Sequence, residues 1–391
     1  MREIRLSSEQ EMLQDSAQRF LRERYDFRHR TAVLKSDEGF DRSMWRSFAQ
    51  LGWLGLGLPE SHEGSGSMLD AALLMEAFGQ ALVVEPYVPT VVLGGQLIAH
   101  CADDAQKQRL LPSMIGGKIL TAFAHGERES GYEAMNVATK AVREGDGYRL
   151  NGHKAVVLGA PSADTLIVSA RSAGSRNARA GLSLFFVDPA AKGVRVDAYS
   201  TIDGARAGEV ILDGVVVPAT DRLGPEGGAA DAIEAALAAG SLALACQAVG
   251  ALEGAVSATA LHLNTREQFG QKLAAFQALR HRVANMYVLK EEARALARLA
   301  ALGFDDGDRQ ERQLSIAAAK AYVGEFGRQV CEEAVQLHGA IGITDEIMVG
   351  HYLKKLIAVD RSFSDATACL DVFMAGSRAL NANIGSNAAG E

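Results

Sequence analysis

The chain has 391 residues, 48% of them hydrophobic and 23% charged, a composition typical of a globular protein with two or three domains. Its formal net charge of -8 argues against nucleic-acid binding, which requires a concentrated basic surface. The four cysteines are scattered without a CxxC pair, so we expect no disulfide framework, no zinc site, and a reduced, cytoplasmic compartment.

Residues 1–118 are predicted to form an N-terminal helical domain. The first segment, MREIRLSSEQEML, carries charges where a signal peptide needs an apolar core, and Ser7 or Ser8 is expected to cap the first helix. Helical spacing of apolar residues continues in LDAALLMEAFGQAL and DDAQKQRLLPSMIGG. Gly116 and Gly117 are expected to end the last of these helices.

Residues 119–222 are predicted to form a central β domain. Five short runs are rich in β-branched or aromatic residues and are separated by Gly, Asp and Asn: TAFAHGE, GYRLNGHKAVVLG, TLIVSAR, LSLFFVD and VILDGVVVP. No long helical pattern lies between them, so a sandwich or barrel is predicted rather than a βαβ sheet.

Residues 223–391 are predicted to form a C-terminal helical bundle. A long helix rich in small residues begins near Ala229, and a second places Phe276, Leu279, Val283 and Met286 on one stripe. SIAAAKAYVGEFGRQVCEEAVQLHG is predicted as a third long helix, and MVGHYLKKLIAVD as the start of a fourth. No uninterrupted apolar run approaches the ~20 residues that would span a bilayer, so no membrane span is expected.

Common cofactor and metal motifs are missing from the sequence. There is no GxGxxG after a strand, no GxxxxGK[ST] and no HExxH, so neither a Rossmann fold, a P-loop nor a metal site is indicated.

The segment REQFGQKLAAFQ, residues 266–277, interrupts the helical pattern. Arg266 offers a fixed cation with planar donors that suits a phosphate, and Gln268 adds an amide. Phe269 is suited to stacking on a flat ring, and Gly270 allows a sharp turn. On spacing alone, a helix–helix corner with surface charges is an equally good interpretation.

A second segment, AVQLHGAIGITDE at residues 334–346, ends a helix in a glycine-containing loop. Together the two segments resemble the acyl-CoA dehydrogenase family of flavoproteins. WRSFAQLGWLGLGLPESHEGSG, YRLNGHKAVVLGAPSADTLIVSAR and REQFGQKLAAFQALRHRVANM extend the resemblance from about Leu6 to about Phe373. The family implies an α+β fold with an N-terminal helical domain, a central β-barrel-like domain and a C-terminal four-helix bundle, with FAD as cofactor.

The resemblance also implies cofactor-binding residues. Arg266 and Gln268 would reach the FAD pyrophosphate, and Phe269 would lie along the cofactor. Further matching positions are Phe276 and Gln277 on the next helix; Gln336, Leu337, His338, Gly339 and Ala340 in a loop that meets the adenosine part of a neighbouring subunit's FAD; His125, Gly126, Glu127, Ser130 and Gly131 in a first flavin loop; and Val156, Val157 and Leu158 in a second.

Several of these positions depart from the family. The first flavin loop usually reads Thr-Glu-Pro-Gly but here reads GERESG, and the second usually reads Trp-Ile-Thr but here reads VVL. A hydroxyl that would touch the flavin is lost at both places, which leaves backbone donors to serve. Gly339 is followed by Ala340 rather than by a second glycine.

The position of the catalytic base departs most from the family pattern. The reaction needs a carboxylate with a tuned pKa to remove a proton next to the thioester. The usual position of the family's glutamate falls on Phe363, and the alternative position falls on Gly240. Asp365 is the better remaining candidate and Glu234 the weaker, while the competing interpretation of each is a solvated or capping carboxylate.

The closest pattern is that of the small subunits of pimeloyl-CoA and steroid side-chain acyl-CoA dehydrogenases, carried by GERESGYE, AVVLGAPSAD and ITDEIMVGHYLKKLIAVD. The resemblance implies an acyl-CoA dehydrogenase of fatty acid β-oxidation that forms a 2,3-enoyl-CoA by α-proton abstraction and β-hydride transfer to flavin. It also implies a homo-oligomer (dimer or tetramer) or an α2β2 assembly, with electron-transfer flavoprotein as acceptor. The alternatives are an FAD-binding, non-catalytic partner subunit and a flavin oxidase or monooxygenase of the same fold.

Overall fold

The computed structural model describes residues 5–388, and its elements are numbered in chain order. The α-helices are α1 (Ser8–Arg24), α2 (Phe27–Leu34), α3 (Arg42–Gln50), α4 (Met68–Ala81), α5 (Gly95–Cys101), α6 (Asp104–Ile115), α7 (Ala230–Thr265), α8 (Gln277–Leu302), α9 (Arg309–Tyr322), α10 (Arg328–His338), α11 (Met348–Arg361) and α12 (Ala366–Ala388). The strands are β1 (Thr121–Ala124), β2 (Lys140–Glu144), β3 (Gly147–Leu158), β4 (Thr165–Arg171), β5 (Leu182–Val187), β6 (Val194–Ser200), β7 (Arg206–Pro218), β8 (Arg222–Leu223), β9 (Glu267–Gln268) and β10 (Gln271–Lys272).

Contacts divide the chain into two compact units. The helical unit comprises Met1–Arg30, Met68–Val83 and Ser241–Glu391, and the sheet unit comprises Thr31–Ser67 and Val84–Gly240. The order of helices, then strands, then helices along the chain confirms the predicted α+β fold class. The three predicted domains, 1–118, 119–222 and 223–391, stay a prediction, because the compact units divide the chain in another way.

The predicted start of the first helix is confirmed. The Ser7 side chain accepts a hydrogen bond from the Gln10 backbone amide, and the Gln10 side chain reaches back to the Ser7 backbone. This reciprocal pair satisfies two amides that have no partner within the helix. The predicted end at Gly116, after α6, is confirmed as well.

The third long helix of the C-terminal half begins at Arg309, before the predicted segment, and is not one regular α-helix. A π-helical segment, Val323–Gly327, separates α9 from α10. A Cβ on Gly324 would lie 2.4 Å from Asp360 Oδ1, so this position packs too closely for any residue other than glycine. The predicted fourth helix is α11, and α12 was not predicted.

Helices α4 and α7 cross at very short distance. A Cβ on Gly79 would lie 1.8 Å from the Gln247 carbonyl oxygen, and a Cβ on Gly250 would lie 1.8 Å from the Glu76 carbonyl oxygen. The small residues of α7 are therefore explained by backbone approach.

Helix α7 is long and apolar enough to cross a membrane, judged by length and composition only. However, 78% of its apolar window is buried inside the structure, as in a core helix. The expectation that the chain has no membrane span therefore stays a prediction. It rested on uninterrupted apolar runs, and polar residues are scattered along α7.

The sheet unit contains an eight-stranded sheet in the order β6-β7-β3-β2-β4-β5-β8, with β1 paired parallel to β4. Strands β3 and β7 pair antiparallel from Gly147 to Leu158, with a register shift between Lys154 and Val157. All five predicted runs form strands. Strands β2 and β6 were not predicted. KAVRE lacks a clear apolar alternation, whereas VRVDAYS does alternate Val194, Val196 and Ala198 with polar residues and was missed.

Candidate functional site

The structure brings the two predicted flavin loops of the sheet unit together. The first loop, residues 125–131, follows β1, and the second loop, residues 156–158, is the end of β3. The Ala155 amide donates a hydrogen bond of 2.8 Å to the Gly126 carbonyl. Lys154 Nζ donates a second, of 3.0 Å, to the His125 carbonyl.

Lys154 is a buried cation that the sequence analysis missed. Its side chain is 0% exposed, and its ammonium also donates to Glu127 Oε1 at 2.8 Å and to Ser169 Oγ at 3.1 Å. Burial lowers the pKa of Lys154 to about 8, and the Glu127 carboxylate opposes that shift. A signal was available, because alternate residues of β3 face inward and Tyr148, Leu150 and Lys154 fall on that face.

The Glu127 carboxylate points into the sheet unit. It accepts hydrogen bonds from the Thr139 hydroxyl at 2.6 Å, the Thr139 amide at 3.0 Å and the Ala138 amide at 2.7 Å. Burial alone raises the pKa of Glu127, but Lys154 and Thr139 outweigh burial and lower it to about 2. Ser130 Oγ accepts from the Glu127 amide at 2.9 Å and donates to the Glu127 carbonyl at 2.7 Å. Ser130 thus braces the first loop from within, whereas Glu127 ties the loop to Ala138, Thr139 and Lys154.

His125 is buried and neutral. Its ring stacks on Phe123 with centroids 4.9 Å apart, and its Nδ1 lies 2.9 Å from Ser169 Oγ. Because that oxygen accepts from Lys154, its own proton is free to be donated to the imidazole. Burial, followed by the charge of Lys154, lowers the pKa of His125 to about 3.

The second loop contains a strained backbone. Val156 has φ +51° and is 59% exposed, whereas Val157 is buried and Leu158 is half-buried. A β-branched residue in this left-handed region costs roughly 1–3 kcal/mol, and such strain is concentrated at functional sites. The Val156 amide lies 3.4 Å from Glu209 Oε1, which accepts its hydrogen bond.

In the helical unit, Arg266–Gly270 does connect two helices, but as a β-hairpin. Strands β9 and β10 pair Gln268 with Gln271, and the turn residues Phe269 and Gly270 have φ +56° and +77°. Positive φ at both positions is the type I′ hairpin turn. It leaves the Phe269 side chain 90% exposed at the tip. The segment therefore does join two helices, as the helix–helix corner interpretation holds, but its backbone forms a β-hairpin.

The hairpin leads directly to the N-terminus of α8. The Phe269 and Phe276 rings meet edge to face with centroids 6.1 Å apart. Phe276 is the N-cap residue, and no side chain caps the helix there, while Gln277 is exposed. Helix N-termini without a cap present free amides and a partial positive charge.

The structure also brings the predicted 336–340 loop to the end of α7, next to the start of this hairpin. The rings of His262 and His338 stack with centroids 4.3 Å apart, one helical turn before Arg266. Burial, then His338 and Arg266, lower the pKa of His262. Gln336, Gly339 and Ala340 are exposed, Leu337 is buried, and Gly339 has φ +66°.

Asp365 acts as a helix cap. Its Oδ1 accepts a hydrogen bond of 2.9 Å from the Ala368 amide at the start of α12, and its Oδ2 lies 3.5 Å from Arg361 Nη1. Phe363, at the family's usual base position, has φ +65°. Buried Lys320 holds this segment by donating to the Val359 and Ser362 carbonyls.

The weaker candidate, Glu234, is held in an ion pair with Arg179, which also pairs with Asp231 at 2.7 Å. Both carboxylates belong to the first two turns of α7, and the arginine that joins them is half exposed. These contacts match the competing interpretation of a surface carboxylate.

Sequence reasoning also missed a polar cleft of about 410 Å³ in the helical unit. Its lining residues are Gln14, Gln18, Glu76, Gln80, Gly250, Glu253, Glu291, Arg294 and Arg298. Arg298 pairs with both oxygens of Glu76, at 2.8 and 2.9 Å. Among the residues described, no group of three or more His, Cys, Asp or Glu side chains could hold a metal ion.

These features fit the FAD that the resemblance implies. The exposed Arg266 and the uncapped start of α8 supply a cation and free amides, which suit a pyrophosphate. The exposed Phe269 supplies an aromatic face for a flat ring. In the sheet unit, the loops offer backbone groups where the family's hydroxyls are missing.

Three family models match the chain in order: acyl-CoA dehydrogenase, N-terminal domain, at residues 7–118; middle domain at 122–215; and C-terminal domain at 226–358. The caffeyl-CoA reductase-Etf complex subunit CarC of Acetobacterium woodii is 31% identical over 79% of this chain and 83% of its own length. Among solved structures, a steroid ACAD variant is 30% identical with a TM-score of 0.84 over 96% and 99% of the two chains. The ChsE4-ChsE5 complex of Mycobacterium tuberculosis is 26% identical with a TM-score of 0.84 over 95% and 97%.

Proposed function

Because the chain belongs to the acyl-CoA dehydrogenase family and is an FAD-dependent oxidoreductase of that family, we propose that it converts an acyl-CoA thioester to the 2,3-enoyl-CoA. Bound FAD would supply the hydride acceptor for this oxidation. The acyl group we favour is a bulky one, in keeping with the resemblance to steroid side-chain enzymes and with the steroid ACAD among the similar structures.

One observation carries the proposal. The hairpin with Arg266 and Phe269 and the loop with His338 belong to one unit, and His262, one helical turn before Arg266 on α7, stacks on His338. The helix ends that lead into these two segments, about seventy residues apart and both expected to bind FAD, therefore lie side by side. Phe269 is held at positive φ, is 90% exposed and meets the Phe276 ring edge to face, so most of its ring is open to a ligand. Such an open aromatic face suits a flat ring.

We infer that Gln268, Phe276, Gln277 and the 336–340 loop assist Arg266 at the pyrophosphate and adenosine. In the sheet unit, the first and second loops would hold the flavin ring through backbone groups. Glu127 and Ser130 would act by holding the first loop in place, because the Ser130 side chain bonds the loop backbone and the Glu127 carboxylate bonds Thr139.

Proton abstraction requires a carboxylate, and Asp365 is our candidate on this chain. Its present contacts are those of a cap, at 2.9 Å from the Ala368 amide. The competing proposal is that a partner chain supplies the base. In that case this chain would be the FAD-binding subunit of an α2β2 assembly, as a hetero-complex among the similar structures suggests.

The direct test is anaerobic titration of the purified yellow protein with a panel of acyl-CoA esters, with and without the chain encoded next to it. Bleaching of the flavin by an acyl-CoA supports the proposal. Bleaching that requires the second chain supports the partner-subunit alternative. A protein that purifies without FAD and binds none when it is added would refute both.

A second candidate runs the same chemistry in the opposite direction. The relative in Acetobacterium woodii is named a reductase and a subunit of an Etf complex. If this chain is also a reductase, the dithionite-reduced protein will be reoxidised by a 2,3-enoyl-CoA faster than the oxidised protein is bleached by the saturated ester. A flavin oxidase or monooxygenase would instead reoxidise rapidly in air.

We also propose a dimer-based oligomer, with a tetramer favoured, and electron-transfer flavoprotein as the acceptor. The 336–340 loop is expected to meet a neighbouring subunit's cofactor. Light scattering of the FAD-loaded protein tests this, and a monomer with stoichiometric FAD would refute it. The four buried, free cysteines agree with the cytoplasm as the proposed compartment. We propose β-oxidation as the process on the family resemblance alone.

A further inference from the structure

Lys154 makes polar contacts that side-chain packing alone does not explain. It is fully buried, it lies on β3 two residues before Val156, and its ammonium reaches across to the His125 carbonyl and the Glu127 carboxylate of the first loop. One side chain therefore joins the strand that carries the second loop to two positions in the first.

A buried lysine–glutamate pair is weak support for stability, because removing both charges from water costs about as much as their attraction returns. An apolar pair of similar size would fill the same space at no such cost. The pair is better explained by geometry, since an ammonium with three defined acceptors fixes the distance between the two segments that it joins.

The distance between the two flavin loops matters more in this chain than in most of the family. Gly126 and Leu158 stand where the usual pattern has hydroxyl side chains, so contacts to the flavin ring fall to backbone groups. Backbone donors cannot adjust by rotating a side chain, and they hold a ligand only if the loops themselves are correctly placed.

We propose that Lys154 is a positioning residue of the flavin site. It connects the first flavin loop to the strained backbone at Val156, so that the backbone groups of both loops face the flavin in one fixed geometry. The inference rests on the proposed function, because it assumes that FAD binds at these loops. It assigns Lys154 no contact with substrate and no proton transfer.

The test separates positioning from stability with three variants. Lys154→Met leaves the buried Glu127 carboxylate without its cation, so it should lower the melting temperature and weaken FAD binding. The double variant Lys154→Met/Glu127→Gln removes both charges but keeps an amide that can accept from Thr139. Lys290→Met is the matched control, because Lys290 is another buried lysine paired with carboxylates, on α8 and 13 residues beyond Gln277.

The readouts are the dissociation constant of FAD, the visible spectrum of the bound flavin, and hydrogen–deuterium exchange of residues 124–131 and 153–158. The double variant should recover the melting temperature of the wild type. Its FAD dissociation constant should stay at least about tenfold raised, the flavin bands should stay shifted, and both loops should exchange faster. Lys290→Met should lose stability without any of these changes.

A double variant that binds FAD with the wild-type constant and spectrum overturns the inference, because Lys154 would then be structural only. The inference also fails if Lys154→Met loses exchange protection in the loops but keeps wild-type flavin binding, and the proposed function survives in both cases. A wild-type protein that binds no FAD overturns the proposed function and the inference together.

Discussion

Acid should destabilise the sheet unit through His125, and replacement of this histidine should remove a defined part of the loss. Burial and the charge of Lys154 lower the pKa of His125 from 6.5 to about 3, so the folded unit keeps the imidazole neutral. The unfolded chain takes up a proton near pH 6.5. The stability contributed by the neutral ring is therefore complete above that pH and is lost as the pH falls towards 3.

The magnitude follows from the same pKa values. Between pH 6.5 and 4.5 His125 is protonated in the unfolded state and remains neutral in the folded state. Each pH unit then costs about 1.4 kcal/mol, so His125 accounts for roughly 2–3 kcal/mol of unfolding free energy over this window. Below pH 4.5 Glu127 adds a loss of the same sign, because its pKa in the fold is about 2. The window above 4.5 therefore isolates the histidine.

Urea unfolding followed by tryptophan fluorescence is the assay. The two tryptophans, Trp45 and Trp53, are both buried in the sheet unit, so the signal reports the unit that contains His125. His262 and His351, whose pKa values are also lowered, lie in the helical unit. Wild type should lose about 2–3 kcal/mol more than His125→Asn between pH 6.5 and 4.5. Equal losses in the two proteins would refute the reasoning.

The remaining predictions concern the cofactor and the base. Arg266→Ala should weaken FAD binding by about 1.5–3 kcal/mol, the range for a hydrogen bond to a charged group, and full retention of flavin through gel filtration would contradict the assignment. Asp365→Asn should abolish flavin reduction by acyl-CoA while FAD stays bound if Asp365 is the base, whereas reduction at the wild-type rate would move the search to a partner subunit. Gly126→Thr should tighten FAD binding by about 1 kcal/mol, because it restores the family's hydroxyl where a Cβ would meet only the Ala155 carbonyl at 3.5 Å. An unchanged dissociation constant would show that the first loop does not face the flavin.

Matched controls keep these outcomes specific. Arg109→Ala removes another exposed arginine, on α6, and should leave FAD binding unchanged. Gly131→Thr places the same side chain in the first loop at a residue with φ +56°, so it should strain the loop instead of restoring a contact.

Much of the fold was readable from local pattern. The five apolar runs became strands and the capped start at Ser7 became a helix, because each depends on periodicity and neighbours within a few residues. The π-helical segment and the hairpin turn were not readable in this way. Within Val323–Gly327, Gly324 packs closely against Asp360, a residue more than thirty positions away, and local periodicity carries no information on such a contact.

The candidate site divides along the same line. The sequence predicts from REQFG and QLHGA which segments contact FAD, and from Phe363 and Gly240 that the family's glutamate is missing. The sequence alone thus determined the family and the cofactor, while the FAD contacts and the missing base stay predictions.

Only the tertiary structure decided how the side chains are used. It turned Glu127 inward onto Lys154, held Val156 at positive φ, exposed Phe269 at a hairpin tip and made Asp365 a helix cap. The physical reason is that the burial of a side chain, and the partners it bonds, depend on residues that are distant from it in the chain. Lys154 becomes a buried cation only when the folded chain covers its side chain and places the Glu127 carboxylate beside the ammonium, which favours the charged form.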